Sequence, residues 1–291
     1  MSSSTTQSGS VLLLGGTGKV GSRIAPLLHA AGVPFLVASR SGSAPNGYAG
    51  VKFDWEDEST WEPIFSTPIS AIHLVAPRAE AQDAIKKFVD LALSKGVPRF
   101  ILLSASLVAE GGPLVGKVHT YLRELGEAGK IEWGVLRPTW FQENFLSEHH
   151  LSALKKENKI YSSTGSGLIP WISANDIAAV GFHFLTAPKA PNTDHYILGP
   201  ELLTYSDLAE IFSSVLGRKI THVDLTEPQL VERWARVGLP AEYAAVLASM
   251  DTAVRHGSEE LTSDAVRATT GREPRRFRDF VEENKETWAQ S

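Results

Sequence analysis

Residues 11–21 read VLLLGGTGKVG and set Gly15, Gly18 and Gly21 at G-x-x-G-x-x-G spacing directly after an apolar run. The chemistry that such a segment serves is anion binding. A glycine turn brings main chain close to a pyrophosphate, and the helix that follows points its unsatisfied N–H groups at the negative charge. Gly21 also lets that helix lie close to the strand. Gly15, Thr17, Gly18, Lys19 and Val20 are therefore expected to border a dinucleotide. Lys19 either adds a positive charge there or stands in solvent. A structural turn without a ligand is the other reading of the same glycines.

The next apolar run ends in PFLVASRSGS. An NAD site carries an acidic residue about 20 residues beyond its glycines, where it accepts from the ribose 2′-hydroxyl. This chain has Arg40 at that place, with Ser39 and Ser41 beside it. A guanidinium suits a 2′-phosphate and a carboxylate would repel it, so the expected cofactor is NADP(H). The alternative is a surface arginine in a loop. Asp54 and Trp55 follow the third run. Asp54 there serves either as acceptor for the adenine amino group or as the side chain of a strand-end turn. Ala76 and Pro77 follow the fourth run, and strand carboxyl ends are where such ligands sit.

Hydride transfer to a ketone creates an alkoxide that needs a proton, which short-chain dehydrogenases commonly supply from Tyr-x-x-x-Lys on one helix. Among the tyrosines only Tyr48 has a lysine four residues on, Lys52, and that pair lies in the glycine-rich NGYAGVKF leading into a strand. The segment GKVHTYLREL carries the couple reversed, Lys117 before Tyr121. The two share a helical face. Helical side chains lean toward the N-terminus, so the reversal moves both groups relative to a nicotinamide. Lys117 and Tyr121 stay weak catalytic candidates, with solvent-facing roles the leading reading.

Composition narrows the remaining classes. The chain has 291 residues, 43% hydrophobic, with formal net charge −5 and no cysteine. A core domain with an appended lobe fits that length. Without cysteine there is no disulfide, thiolate nucleophile or cysteine metal site. No block of lysine and arginine favours nucleic acid. His149 and His150 are neighbours that would diverge on a helix, and no metal is expected. There is no G-x-S-x-G elbow and no P-loop lysine. Residues 1–10, MSSSTTQSGS, are expected to form a disordered tail with no signal peptide. No apolar run approaches the roughly 18–20 residues of a membrane helix, and a cytoplasmic protein is expected.

The elements that must position these residues follow from periodicity. Strands are expected at Val11–Leu14, Phe35–Ala38, Val51–Phe53, Ala71–Val75, Phe100–Leu103 and Trp133–Leu136. Helical patterns stand between them, one from Val20 to Ala31 with Pro26 inside and one at Ala79–Ser94. Alternation of this kind implies an α/β fold with a doubly wound parallel sheet. From about Phe141 helical stretches dominate. Short extended pieces are expected at Tyr161–Ser163, Pro170–Ser173 and His195–Leu198, continuous helix over 227–257, and a closing helix over Phe277–Trp288. Residues 11–140 are read as the dinucleotide-binding domain and 141–291 as a substrate lobe partly interleaved with it.

GGTGKVG, FDWEDESTWEPIF, VLRPTWFQENF, IPWISANDIAAVGFHFLT and YILGPELLTYSDLAEIFSSVLGRKI, in this order, resemble the NmrA-like branch of atypical short-chain dehydrogenases. Within that branch they are most similar to the fungal festuclavine and agroclavine dehydrogenases of ergot alkaloid pathways. The resemblance implies a Rossmann-type sheet with a smaller, mostly helical C-terminal lobe, NADPH as hydride donor, and a cyclic iminium of an indole alkaloid as acceptor. It matches the glycine loop and Arg40 to cofactor positions. It matches the segment from Pro138 to Asn144 to the border of nicotinamide and substrate. Pro138 falls to the cofactor, and Trp140, Phe141, Asn144 and, in PWIS, Trp171 fall to the substrate. Ordinary core packing is the alternative for these aromatics. Asp176 reads as a helix-start acid rather than a catalyst.

An iminium acceptor gives the missing couple a meaning. Hydride addition to C=N⁺ yields a neutral amine, so that step needs no proton. It needs placement and tolerance of a cation, which aromatic faces supply. Glu143 is a weak candidate for assisting. Two other readings remain: an NADP(H)-binding cyclase performing Pictet–Spengler-type closure on the same electrophilic carbon, and a non-catalytic NADP-sensing regulator of the kind that NmrA itself represents.

Overall fold

The computed structural model describes residues 9–77, 81–146 and 148–289, with backbone alone at 148 and 149. The expected tail lies mostly outside the described residues. Its last position does not, because Ser10 opens the first strand and its N–H donates to Pro68 O at 2.8 Å. The chain divides into two compact units. One reaches to Pro138 and takes back Ala174–Ile197 and Ala268–Gly271; the other holds Thr139–Ser173, Leu198–Arg267 and the chain from Arg272.

The first unit is a parallel sheet. β1 (Ser10–Leu13), β2 (Phe35–Ser39), β3 (Gly50–Lys52), β4 (Ile69–Val75), β5 (Arg99–Leu103), β6 (Glu132–Pro138) and β8 (Asp194–Ile197) lie in the order β3-β2-β1-β4-β5-β6-β8. β7 belongs to the second unit. Strand order reverses between β1 and β4, which is the topological switch point of a doubly wound sheet. Strand alternation sends Leu12, Ile72, Leu74, Phe100 and Leu102 to one face. There they pack with Ile85, Phe88, Val118 and Leu122 of α2 (Gln82–Ser94) and α3 (Gly116–Glu127). The start expected for α2 at Ala79 lies outside the described residues. Val11, Leu13 and His73 alternate onto the other face, which α1 (Gly21–Ala30) and α5 (Ala174–Thr186) cover. Asp176 stands in the first turn of α5, as an acid at a helix start should. Among the described residues no helix is long and apolar enough to cross a membrane.

The second unit is mostly helical. α4 (Glu148–Lys156), α6 (Tyr205–Leu216), α7 (Glu227–Arg236), α8 (Ala241–Arg255) and α10 (Phe277–Glu283) accompany a two-stranded parallel sheet of β7 (Lys159–Ser162) and β9 (Thr221–Asp224), and α9 (Ala265–Thr270) carries the chain across the division. A capping box starts α6: the Thr204 hydroxyl accepts from Asp207 N–H while the Asp207 carboxylate accepts from Thr204 N–H at 2.8 Å. The core is aromatic, with Phe145, Trp171, Tyr205, Phe212, Phe277 and Trp288 in one cluster.

Three sequence expectations need correction here. Residues 227–257 are not one helix. The chain breaks at Val237–Pro240, where Pro240 has no N–H for an intrahelical bond, and α7 and α8 fold back on a small core of Leu230, Trp234, Ala244 and Ala248. The closing helix ends at Glu283 and continues only as a 3₁₀ turn, Lys285–Trp288. Pro170–Ser173 forms no strand; Ile172 makes a single bridge to Phe141.

Candidate functional site

A cleft of about 950 Å³ opens at the carboxyl ends of β1 to β4 in the first unit. Each strand end contributes: Gly15 and Thr17 after β1, Ser39 to Pro45 after β2, Phe53 to Glu56 after β3, and Val75 to Pro77 after β4. Gly15 has φ +64°, and a Cβ there would stand 3.1 Å from the Val75 Cβ. A Cβ on Gly21 would stand 2.5 Å from Gly15 O. The turn is thus closed against both the neighbouring strand and the helix start, with Gly18 N–H donating back to Gly15 O at 2.9 Å. Helix α1 has no acid in its first turn and no side-chain cap, so nothing of its own sequence opposes an anion there.

The loop after β2 is organised by its serines. The Ser39 hydroxyl donates to Ser43 O at 2.7 Å, and the Ser41 and Ser43 hydroxyls share a hydrogen bond of 2.6 Å. Arg40 is exposed between them and has no ion-pair partner among the described residues. Across the cleft, Trp55 is half-buried. Phe53, Trp61 and Phe88 hold it by edge contacts at 4.8, 5.9 and 5.5 Å. Asp54 builds the strand-end turn. Its carboxylate accepts from Glu56 N–H at 3.0 Å, and its carbonyl accepts from the Trp61 indole at 2.8 Å.

Of the residues expected at a cofactor, Gly15, Thr17, Ser39, Arg40, Asp54, Trp55, Ala76 and Pro77 line this cleft together. Gly18, Lys19, Val20 and Pro138 do not. Val20 is buried at the start of α1, the Lys19 carbonyl accepts from Arg23, and Pro138 ends β6, two strands beyond β4. Ser43, Ala44, Pro45, Phe53 and Glu56 line it without having been singled out. The alternation Ser-Gly-Ser-Ala-Pro after Arg40 was the available signal for the first three.

The reversed couple is separated by its surroundings. Lys117 is exposed. Tyr121 donates its hydroxyl to the Asp90 carboxylate on α2, and the Lys86 ammonium lies 4.8 Å from its ring centre. Burial first, and then Asp90, pushes the Tyr121 hydroxyl up to about 12. Neither residue lines the cleft, and Tyr48 and Lys52 share no helix. The remaining candidates all fall in the second unit. Glu143 is buried and accepts from the Ser173 hydroxyl at 3.1 Å. Trp140 and Phe141 are half-buried, and Asn144 N–H donates to Phe141 O at 3.1 Å. Trp171 is packed by Trp140, Phe145, Tyr205 and Phe277 at 6.5, 5.4, 5.2 and 5.9 Å, a core position. Its indole N–H and that of Trp140 are buried with no protein acceptor. The side chain of His149 lies outside the described residues, while His150 is buried against Phe145.

The chain has relatives of known family and fold. The model of the NmrA-like family matches residues 7–280. The chain is 48% identical over 289 residues to festuclavine dehydrogenase of Aspergillus fumigatus, covering 96% of this chain and 98% of that protein. It is 44% identical over 286 residues to agroclavine dehydrogenase of Claviceps fusiformis, covering 96% and 98%. Among solved structures, Citrobacter sp. triphenylmethane reductase complexed with NADP(H) superposes with a TM-score of 0.80 at 21% identity, over 94% of this chain and 99% of that one.

Proposed function

The chain belongs to the NmrA-like family, and on that footing we propose that it is an NADPH-dependent oxidoreductase that reduces a cyclic iminium in an indole alkaloid. The relatives named as festuclavine and agroclavine dehydrogenases support the substrate class. Bound NADPH supplies the hydride.

The residues of the cleft fit that cofactor. Gly15 leaves main chain open where a Cβ would crowd Val75, so a pyrophosphate approaches the turn closely. Arg40, on a loop braced by the Ser41–Ser43 hydrogen bond, meets a 2′-phosphate with a guanidinium fork and gains nothing comparable from the bare hydroxyl of NAD(H). Trp55 offers an apolar wall whose orientation three aromatic neighbours fix. In the second unit Trp140, Phe141 and Asn144 face the alkaloid, with Trp171 backing Trp140. Aromatic faces there tolerate the cation of the substrate, and the Glu143 carboxyl group precedes Asn144 in the same segment.

The observation that carries the choice of acceptor is the bond from Tyr121 to Asp90. A phenol held by a carboxylate and raised to about 12 is a poor proton donor, and an iminium requires none. The test uses NADPH deuterated at C4 with a cyclic iminium. The expected product carries deuterium at the former C=N carbon, one equivalent per NADPH consumed. A ring-closed product without label would make the protein a cyclase. No consumption across iminium, imine, enone and aldehyde acceptors would leave the sensing role.

A further inference from the structure

In the second unit, helix α8 grips the turn that follows β7 by both ends of one peptide residue. Ser163 N–H donates to the Asp251 carboxylate at 3.0 Å, and Ser163 O accepts from Arg255 Nε at 2.7 Å. Positions 251 and 255 are one helical turn apart, so a single face of α8 holds both. The turn lies so close to the helix that a Cβ on Gly167 would overlap the Val254 carbonyl. Asp224 of β9 completes the seat, accepting from Gly165 N–H at 3.0 Å and from Arg255 Nη2 at 2.6 Å.

Asp251 is 1% exposed, and Arg255 and Asp224 act on its charge in opposite directions. Arg255, the cation on its own helix, is committed to Asp224, Ser163 O and Leu225 O. From β9 the second carboxylate, Asp224, opposes it. From α6 comes the buried phenol of Tyr205, on which His222 of β9 stacks at 5.6 Å between ring centres. His222 itself bonds the hydroxyls of Ser162 and Ser206. From α7 Glu227 is occupied by the Thr252 hydroxyl, one residue along from Asp251. A carboxylate in such a place is stabilised by one backbone N–H and by the charge of an Arg255 bonded elsewhere, which together do not match the loss of its hydration.

We propose that the seat of α8 on the Ser162–Gly167 turn is a pH-sensitive clasp, closed while the Asp251 carboxyl holds its proton and loosened when that proton is lost. The hairpin of α7 and α8 is built on a small core of Leu230, Trp234, Ala244 and Ala248, against which Tyr161 of β7 packs. Burial pushes the Asp251 carboxyl up to about 7, against the pull of Ser163 N–H and Arg255. In an opened hairpin the carboxyl returns to the ordinary range near 3.8. The raised group therefore favours closure most below about 3.8, and that advantage falls as pH rises from there to about 7 and is gone above it.

The test is hydrogen exchange of the full chain saturated with NADP⁺, read as protection factors from pH 5 to pH 8. In the natural protein, protection of α8 and of residues 162–167 should fall by roughly one to two orders of magnitude across that range, while α10 stays level. Asp251→Asn keeps an acceptor for Ser163 N–H without a titrating charge, and should hold α8 protected at every pH. A flat profile in the natural protein, or the same slope in D251N, would overturn the clasp. A carboxyl ¹³C titration of the natural protein decides independently of how the variant folds: a midpoint near 7 for Asp251 supports the proposal, and one below about 4.5 refutes it.

Discussion

The Tyr121 hydroxyl is bonded to Asp90 across the α2–α3 pair, on the face of the sheet away from α1. A catalytic acid contributes about 10²- to 10⁴-fold, and a phenol tied in this way contributes to helix packing instead. Tyr121→Phe and Lys117→Ala should each leave kcat for iminium reduction within about twofold, with only a modest drop in stability for Tyr121→Phe. Steady-state kinetics against NADPH checks this, and a hundredfold fall in either variant would return the couple to catalysis.

Arg40 is expected to choose between cofactors. Arg40→Ala removes one or two charge-assisted hydrogen bonds to a 2′-phosphate, so affinity for NADPH should fall roughly 10- to 150-fold, with NADH binding changed by less than about twofold. Calorimetric titration of both cofactors reads the ratio. Equal weakening of the two would place Arg40 outside phosphate recognition.

Gly15 bears on the fold and the cleft at once. Its φ of +64° and its approach to Val75 predict that Gly15→Ala destabilises the chain by about 1–2 kcal/mol and weakens NADPH binding. Adding Val75→Ala relieves the steric part and not the backbone part, so urea midpoints should recover only partly in the double variant. Full recovery would mean that the positive φ carries no strain.

The central strands of the sheet were legible as short apolar runs, as in VLLL at 11–14 and FILL at 100–103. β9 was not: THVD is short, half-buried and polar at its ends, and reads as loop until β7 pairs with it. The lining of the candidate cleft was legible where it is local, in the glycine turn and at Arg40. The direction of Tyr121 was not, since it depends on Asp90, 31 residues away on another helix. The break between α7 and α8 was written in Gly238–Leu239–Pro240, but the strong helical patterns on both sides masked it.

His73 links acid stability to the same strand that backs the glycine turn. It lies in the middle of β4, fully buried, with neither ring nitrogen bonded to protein, and its carbonyl accepts from Leu14 N–H at 3.1 Å. Burial lowers its pKa from 6.5 to about 4. Between those values the unfolded chain binds the proton and the folded one does not. Stability is therefore complete above pH 6.5 and is lost progressively as pH falls toward 4. The share of His73 at pH 4.5 comes to roughly 2–3 kcal/mol. His73→Leu removes this share and buries no unpaired nitrogen, so it should match or exceed the natural protein at pH 7.5 and resist acid better. His119 and His222, whose pKa values burial also lowers, leave some acid sensitivity in the variant. Urea denaturation at pH 7.5, 5.5 and 4.5 measures the difference in slope. Parallel stability curves for the two proteins would show that His73 is not the acid-sensitive group.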